Sequence, residues 1–300
     1  MKITLTELEE YLISLEIPIK TYGFGEISQF SSLNNIKDNS LIWIKKITED
    51  TILKVQNIKN CIIICSEFKE EFLETGNACI ICDNVKMVYF ELLDHYFKKR
   101  VATNVIGKSS TVLTNKIGEN VFIGEGCYIG EEVSIGANTI IKNNVCIENK
   151  VEIGENVVIN SGTVIGSDGF GYYELPNHTY KKVPDFGGVI IGNHVEIGAN
   201  TCIDRGTLDN TVIEDGVKID NLVHIGHNVW IKKNSMIIAQ SLLGGSSILG
   251  KHSYIAPGVL IRNQIKIGDN SLVGMGAVVT KDIEANIVVA GVPAKKIRDN

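Results

Sequence analysis

The sequence has no apolar run long enough to cross a membrane. Its longest apolar runs, such as the one around Cys61 to Cys65, fall far short of the ~20 residues that a membrane-spanning helix needs. Residues 1–4 lack the apolar region of a secretory signal. We therefore expect a cytoplasmic protein with no membrane span.

A basic excess and a disulfide framework are also missing. The formal net charge is −6, and lysines and arginines are spread through the chain, which argues against general nucleic-acid binding. Seven cysteines are an odd number for disulfides, and a cytoplasmic chain keeps them reduced. Cys79 and Cys82 have the spacing of redox and zinc sites, but alternation along a strand sends their thiols to opposite faces. We predict that the cysteines are buried and structural.

From residue 117 onward, one aliphatic position recurs every six residues. Nine isoleucines keep this register from Ile117 to Ile165, and it resumes at Ile191 and runs to Val279, giving twenty-four hexads. A period of six fits neither a helix nor a plain strand. It fits a triangular solenoid in which each hexad supplies one short strand and a Gly, Asn or Asp turns the corner. Three hexads per turn give about eight coils, or a prism about 40 Å long.

This pattern resembles the hexapeptide repeat of left-handed parallel β-helices, and the resemblance supplies the handedness. The predicted fold class is therefore mainly β. We expect a left-handed β-helix domain at 101–282 and a short C-terminal tail at 283–300. Residues 1–100 contain no hexads. A capping box at Thr4, apolar runs at 41–44, 61–65 and 79–81, and a helix near 87–97 predict a separate α/β domain there.

Two interruptions of the repeat direct attention to function, because a solenoid expels insertions onto its surface as loops. The larger spans about 167–188, and the smaller is 207–210. Tolerated surface loops are one interpretation. Aromatic and glycine residues between Gly169 and Tyr173 favour a loop that contacts substrate, with Asp168, Phe170 and Tyr172 as candidate binding residues.

The densest polar cluster in the regular repeat lies at 220–228. With Ile225 inward, His224 and His227 occupy outward positions. Imidazole suits a base that takes a proton from an amine as the amine attacks a thioester, and a nearby carboxylate would orient the ring. Gly245 lies eighteen residues after His227, one coil along the same face, where its N–H can stabilise an oxyanion.

Segments 165–171, 197–209 and 218–228 resemble the UDP-3-O-acylglucosamine N-acyltransferase (LpxD) family. The resemblance implies His227 as general base, Asp220 as its orienting carboxylate and Gly245 as oxyanion donor. It also implies a nucleotide-binding role for residues 1–100 and homotrimers with active sites between subunits. The substrate-binding candidates are Trp43, Lys46, Asp168, Phe170, Tyr172, Asn221, His224, Asn228 and Gln264. Trp43 would stack on the nucleotide base, although a core aromatic is an equal alternative.

The sequence departs from the family at three of these positions. Lys46 stands where the family commonly has Asn, Gln264 stands at a later active-site His, and His224 replaces a usual Gln. Residues 278–298 resemble the ending of acyl-CoA-dependent hexapeptide acetyltransferases.

We therefore predict an enzyme that transfers an acyl group, 3-hydroxybutanoyl or another short acyl from CoA, to the amine of a UDP- or dTDP-linked amino sugar. The pathway would be surface-glycan or lipopolysaccharide biosynthesis. The alternative is the lipid A UDP-3-O-acylglucosamine N-acyltransferase, which uses 3-hydroxyacyl carrier protein. No cofactor is expected to be bound permanently.

Two other classes of function are less consistent with the residues. Some hexapeptide prisms hold zinc between subunits with three histidines, for which His224, His227 and His252 are the candidates, but their spacing does not match. We predict no metal. A scaffolding prism without catalysis would leave the histidine and asparagine cluster without a purpose.

Overall fold

The computed structural model describes residues 2–99 and 101–300, which form two units that divide between residues 100 and 101. In the described part of the chain, no helix is both long and apolar enough to span a bilayer.

The N-terminal unit is an α/β fold with a five-stranded sheet. Three helices accompany the sheet: α1 (Leu5–Ser14), α2 (Glu49–Gln56) and α3 (Val85–Tyr96). In spatial order the strands are Lys20–Tyr22, Ala78–Ile81, Ile62–Cys65, Ser40–Trp43 and Gln29–Phe30, of which only the first is antiparallel to its neighbour. Smaller elements are the antiparallel pair Ile3–Thr4 and Glu26–Ile27 and a 3₁₀ turn at Glu70–Phe72. The predicted capping box is confirmed, since Thr4 and Glu7 cap each other's backbone N–H at the start of α1.

Two apolar clusters cover the two faces of this sheet. Cys79 belongs to one cluster and Cys82 to the other, so the predicted separation of their thiols is confirmed. The prediction of burial is wrong for two cysteines of the second unit. Cys146 is only partly buried and Cys202 is exposed, because both point outward from the solenoid.

The second unit is a parallel β-solenoid with three faces. Face 1 contains Val105–Ile106, Phe122–Ile123, Ile140–Ile141, Val158–Ile159, Glu196–Ile197, Lys218–Ile219, Met236–Ile237, Tyr254–Ile255, Leu272–Val273 and Ile287–Ala290. Face 2 contains Thr111–Val112, Tyr128–Ile129, Cys146–Ile147, Val164–Ser167, Cys202–Asp204, His224–Ile225, Leu242–Leu243, Leu260–Ile261 and Val278–Val279. Face 3 contains Val133–Ile135, Val151–Ile153, Val189–Ile191, Thr211–Ile213, Trp230–Ile231, Ile248–Leu249 and Lys266–Ile267.

The six-residue register explains this architecture. In the regular part, each inward isoleucine pairs with the residue eighteen positions later, as Ile225 pairs with Leu243, and the paired side chains are buried. Asparagines turn many of the corners with positive φ, which their short polar side chains tolerate. Inside the coils, buried hydroxyls donate to carbonyls of the next coil, as Ser235 Oγ does to Gly250 at 2.7 Å. The stacked apolar positions form one continuous core.

The strand pairing runs past both predicted ends of the hexad series. Ile106 and Val112 pair with the first full coil, although one residue fewer separates the coils there. At the other end, Ile283 bridges to Ile267, and Ile287–Ala290 pairs in parallel on face 1. Residues 283–300 are therefore more than a tail: Lys295–Asp299 folds back antiparallel on Ile287–Ala290.

Both interruptions leave the solenoid as surface loops. The larger contains an antiparallel hairpin of Tyr172–Glu174 and Tyr180–Lys182. It leaves face 2 after Val164–Ser167 and returns at Val189–Ile191 on face 3. Insertion 207–210 likewise falls between a face 2 strand and a face 3 strand, so both insertions emerge at the corner between these faces.

Candidate active site

His227 lies at the corner that joins face 2 to face 3. The strand His224–Ile225 ends there, and Asn228 turns the chain with a φ of 57°. The His227 Nδ1 atom is 3.1 Å from the Asn228 Oδ1 atom. We call the group His227, Asn228 and Gly245 the site corner.

The orientation of the Asn228 amide fixes the tautomer of His227. The Asn228 oxygen accepts the Thr207 N–H at 3.0 Å, and its NH₂ donates to the Asp209 carbonyl at 3.0 Å. Because that oxygen is an acceptor, neutral His227 must donate from Nδ1. The Nε2 atom then carries the free lone pair, which is the state that a general base needs.

Two glycines hold the His227 side chain from either side. A Cβ built on Gly245 would lie 2.5 Å from His227 Nε2, and one built on Gly169 would lie 2.8 Å from His227 Cβ. The slot therefore exists only because both positions lack side chains. Among the hydrogen bonds of residues 101–300, none is donated by the Gly245 N–H. The basic nitrogen of His227 thus faces a residue with an available backbone donor.

A carboxylate that the sequence did not single out lies beside the two histidines. Asp204 is 6% exposed, and it pairs with Ser167 directly after Ile203, which itself pairs with Ile225. Its Oδ1 atom accepts from Ser167 Oγ at 3.2 Å, and its Oδ2 atom is 3.5 Å from His224 Nε2. A signal was present, because an aspartate follows the inward Ile203 where the commonest hexads carry glycine.

The surroundings of Asp204 act on its pKa in opposite directions. Burial is the largest effect and raises the pKa of Asp204. The charge of His224, the hydrogen bond from Ser167 and the charge of His227 all lower the pKa, while Asp185 raises it further. Asp204 is therefore a buried carboxyl group within electrostatic range of both histidines.

The predicted partner of His227, Asp220, lies elsewhere on the chain. Its carboxylate accepts the N–H of Asn221 at 2.7 Å, the side-chain NH₂ of Asn221 at 2.9 Å and the N–H of Ala239 at 3.2 Å. We call Asp220 and Asn221 the cap corner, since they close the turn from face 1 into face 2. A whole edge of the triangle separates the two corners. Within one chain Asp220 does not contact His227, so the predicted orienting role of Asp220, which the resemblance places at a site between subunits, stays a prediction that concerns Asp220 of another copy.

The remaining solenoid candidates do not all lie at these two corners. Asn221 is at the cap corner, where its Oδ1 atom accepts the Ala199 N–H at 2.6 Å. Gln264 is exposed two coils beyond Asn228, and its N–H donates to the Gly245 carbonyl at 2.9 Å. His224 is on the strand between the corners. His252 turns the corner between faces 3 and 1, so the three candidate zinc ligands do not share one corner.

The larger insertion places its predicted binding residues next to the site corner. Asp168 pairs with Lys182 at 2.6 Å across the insertion and raises the pKa of that lysine through their hydrogen bond. Phe170 is 88% exposed, and its ring centroid is 4.9 Å from that of Tyr172. Because Gly169 contacts His227, these aromatics extend from the base into solvent.

In the N-terminal unit, Trp43 and Lys46 differ in their surroundings. Trp43 packs on one apolar cluster and stacks on Tyr89 with 5.9 Å between ring centroids, yet its side chain stays partly exposed. Lys46 is exposed. Trp43 is therefore anchored as a core aromatic and still presents an edge to solvent.

Sequence comparison finds similar proteins that match part of the chain. The model for bacterial transferase hexapeptide (six repeats) matches residues 116–149 and 246–281. A UDP-3-O-acylglucosamine N-acyltransferase of Campylobacter lari is 37% identical over 134 residues, covering 45% of this chain and 42% of that protein. UDP-3-O-acylglucosamine N-acyltransferase 2 of Legionella pneumophila is 51% identical over 87 residues, covering 29% and 25%. The corresponding protein of Rhizobium meliloti is 44% identical over 134 residues, covering 45% and 38%. The matched region thus spans less than half the length of these curated relatives.

Solved structures share the solenoid. LpxA from Acinetobacter baumannii matches with a TM-score of 0.59 and 22% identity over 65% of this chain and 74% of that one. LpxA, a UDP-N-acetylglucosamine acyltransferase from Bacteroides fragilis, matches with a TM-score of 0.58 and 24% identity over 64% and 73%. At this identity the likeness shows the fold alone, which is the predicted left-handed parallel β-helix. Two stretches of the chain thus match the hexapeptide-repeat model, and part of the chain is similar to UDP-3-O-acylglucosamine N-acyltransferases.

Proposed function

We propose that the protein is an N-acyltransferase that acylates the amine of a nucleotide-linked amino sugar. The observation that supports this most directly is the contact of 3.1 Å between His227 Nδ1 and Asn228 Oδ1. The Asn228 Oδ1 atom accepts a hydrogen bond from Nδ1–H, so Nε2 is free to accept a proton, and it faces the backbone of Gly245. A free imidazole base beside an available N–H donor is the arrangement that acyl transfer needs.

The proposed reaction uses both groups in one step. The amine nitrogen attacks the thioester carbonyl carbon and forms the new C–N bond, while His227 Nε2 takes the proton that the amine loses. The carbonyl oxygen becomes an oxyanion that accepts the Gly245 N–H. Collapse of the tetrahedral intermediate breaks the C–S bond, and His227 returns the proton to the leaving thiolate, so the charges balance.

The names of the relatives favour UDP-3-O-acylglucosamine as the acceptor. We therefore place the alternative reaction, acylation of UDP-3-O-acylglucosamine by 3-hydroxyacyl carrier protein, ahead of the predicted transfer of a short acyl group from CoA. The departures at Lys46, His224 and Gln264 keep the acyl-CoA reaction as the second candidate. In either case we propose that Phe170 and Tyr172 contact substrate, that Trp43 contacts the nucleotide base, and that the active form is a homotrimer. Outward leucines on face 2, Leu242 at 38% and Leu260 at 45% exposure, support self-association.

A donor and acceptor panel tests the proposal. The purified protein is given acetyl-CoA, 3-hydroxybutanoyl-CoA or 3-hydroxyacyl carrier protein, each with UDP-3-O-acylglucosamine or with UDP- and dTDP-linked amino sugars. Thiol release and product mass are recorded together. We expect an amide product from UDP-3-O-acylglucosamine and the acyl carrier protein. Turnover only with a CoA thioester would establish the second candidate. Absence of an amide product throughout would contradict the proposed function.

A further inference from the structure

We infer that Arg205 is a positioning residue for the active site, because its backbone and its side chain bind the two ends of the larger insertion. It acts through that insertion, whose Gly169 contacts His227 and whose Phe170 and Tyr172 are the proposed substrate contacts. The catalytic meaning of this inference rests on the proposed function, whereas the contacts of Arg205 do not.

Arg205 contacts both ends of the insertion directly. Its backbone N–H donates to the Ser167 carbonyl at 2.8 Å, where the insertion begins. Its Nε atom donates to the Gly187 carbonyl at 2.9 Å, where the insertion ends. The Nη2 atom donates to the Asn149 carbonyl at 3.2 Å, and Asn149 follows the face 2 strand two coils earlier. One side chain thus joins the end of the insertion to the solenoid.

The planar guanidinium group explains why an arginine occupies this position. Its N–H groups point in fixed directions, so Nε and Nη2 can donate to two carbonyls at once, whereas a lysine has one nitrogen on a flexible stem. Lys150 shows the contrast, since its Nζ atom donates to a single carbonyl of the same segment, that of Phe186, at 3.1 Å. The contact of Arg205 with two carbonyls therefore depends on the shape of its side chain as well as on its charge.

The end of the insertion that Arg205 binds is also linked to the base. The Phe186 N–H donates to the Thr207 carbonyl at 2.7 Å. The Thr207 N–H in turn donates to Asn228 Oδ1, the atom that contacts His227 Nδ1. A shift of this end would therefore disturb the residue that orients the base.

The beginning of the insertion contacts the base itself. Ser167, whose carbonyl Arg205 binds, lies two residues before Gly169. A Cβ at Gly169 would lie 2.8 Å from His227 Cβ, and the exposed Phe170 follows at once. A shift of this end would therefore move one wall of the slot together with a proposed substrate contact.

Hydrogen exchange of the unliganded protein tests the inference. R205A removes both side-chain contacts, but Arg205 is not part of the apolar core, so the coils should keep their exchange rates. We expect N–H groups of residues 171–186, such as that of Val183, which donates to the Gly171 carbonyl, to exchange about tenfold faster. R205K should resemble R205A, because lysine keeps the charge but cannot bind both carbonyls.

Two further variants set the scale. R298A is the matched control, because the guanidinium group of Arg298 lies in the last strand and donates to the Asp299 carbonyl. It should leave exchange in the insertion unchanged. K150A removes one contact with Phe186 and should speed this exchange by less than R205A does. Unchanged exchange in R205A would overturn the inference, as would faster exchange throughout the coils.

The transferase assay separates positioning from a purely structural role. We expect R205A and R205K both to raise KM for the acceptor sugar about tenfold, with a smaller change in kcat, because the insertion presents the proposed substrate contacts. Unchanged KM and kcat beside faster exchange would overturn the inference, as would a wild-type KM in R205K alone, which would mean that only the charge matters. If the wild type forms no amide, the proposed function fails, while hydrogen exchange still decides whether Arg205 holds the insertion.

Discussion

The two corners at the ends of face 2 contain similar residues that do different work. At the cap corner, the side chains of Asp220 and Asn221 form hydrogen bonds with each other and with the N–H groups of neighbouring coils. At the site corner, Asn228 also satisfies the backbone, but in doing so it orients His227 and frees Nε2. The residue type alone therefore does not show whether a polar residue at a solenoid corner has a functional role. What they contact decides their role.

The insertions account for the difference between the corners. Gly169 from the larger one contacts His227, and Thr207 and Asp209 from the smaller one hold the Asn228 amide. Both insertions emerge between faces 2 and 3, so both reach the site corner. A corner surrounded only by hexads is a plain turn. At the site corner, the two insertions add the contacts that hold the His227 side chain in place.

The largest expected effect comes from filling that slot. G245A places a methyl group 2.5 Å from the present position of His227 Nε2, so the ring must move. A displacement of about 1 Å at a reacting group can lower the rate about 10²-fold, and we expect a loss of that size in kcat. G169A should act in the same direction by pushing on His227 Cβ.

G171A is the matched control for these two variants. A Cβ at Gly171 meets Val183 at 3.5 Å, an ordinary contact, although the position belongs to the same insertion. Its kcat should stay near that of the wild type. Equal losses of kcat in G171A and G169A would mean that the insertion responds to any added methyl group, and the slot would then have no special role.

A smaller effect is expected at the cap corner. D220N replaces one acceptor oxygen by an NH₂ group and leaves one N–H of Asn221 or Ala239 without its partner. We expect a loss of about 1 kcal/mol in the free energy of unfolding, measured by denaturant titration, with kcat retained. A large loss of kcat at unchanged stability would mean that Asp220 of another copy reaches the base, and the two corners would then belong to one site.

The smallest effect is expected for the ion pair of the larger insertion. Lys182 and Asp168 are 2.6 Å apart but are substantially exposed. We expect D168N to change the free energy of unfolding by less than about 1 kcal/mol, and less still at high salt. If KM for the sugar rises several-fold while stability holds, Asp168 binds substrate as predicted.

Much of the fold could be predicted because one physical rule repeats along the chain. The inward isoleucines and the corner asparagines indicate a solenoid directly, and the breaks in their register mark where the insertions leave it. The two ends of the solenoid were harder to predict, because Ile106 is one residue and Ile283 two residues out of register with the hexads. His227 and Gly245 could be paired from their spacing of eighteen residues.

The contacts made by the insertions could not be predicted in this way. Residues 167–188 have no register, so nothing in the sequence placed Ser167 against Asp204 or Gly169 against His227. The short sequence distance between Asp220 and His227 also concealed the edge of the triangle that separates them within one chain. The tautomer of His227 likewise depends on two hydrogen bonds between Asn228 and insertion 207–210, which the repeat does not relate to each other.

The central claim is that His227 takes the proton of the attacking amine. The most direct test compares wild type and H227N for amide formation, recorded as product mass against time, under the donor and acceptor that the panel selects. Asn keeps a polar side chain in the slot but cannot act as a base. We predict that H227N stays folded and loses about 10²–10⁴-fold in kcat. A folded H227N protein that forms the amide at the wild-type rate would contradict the account.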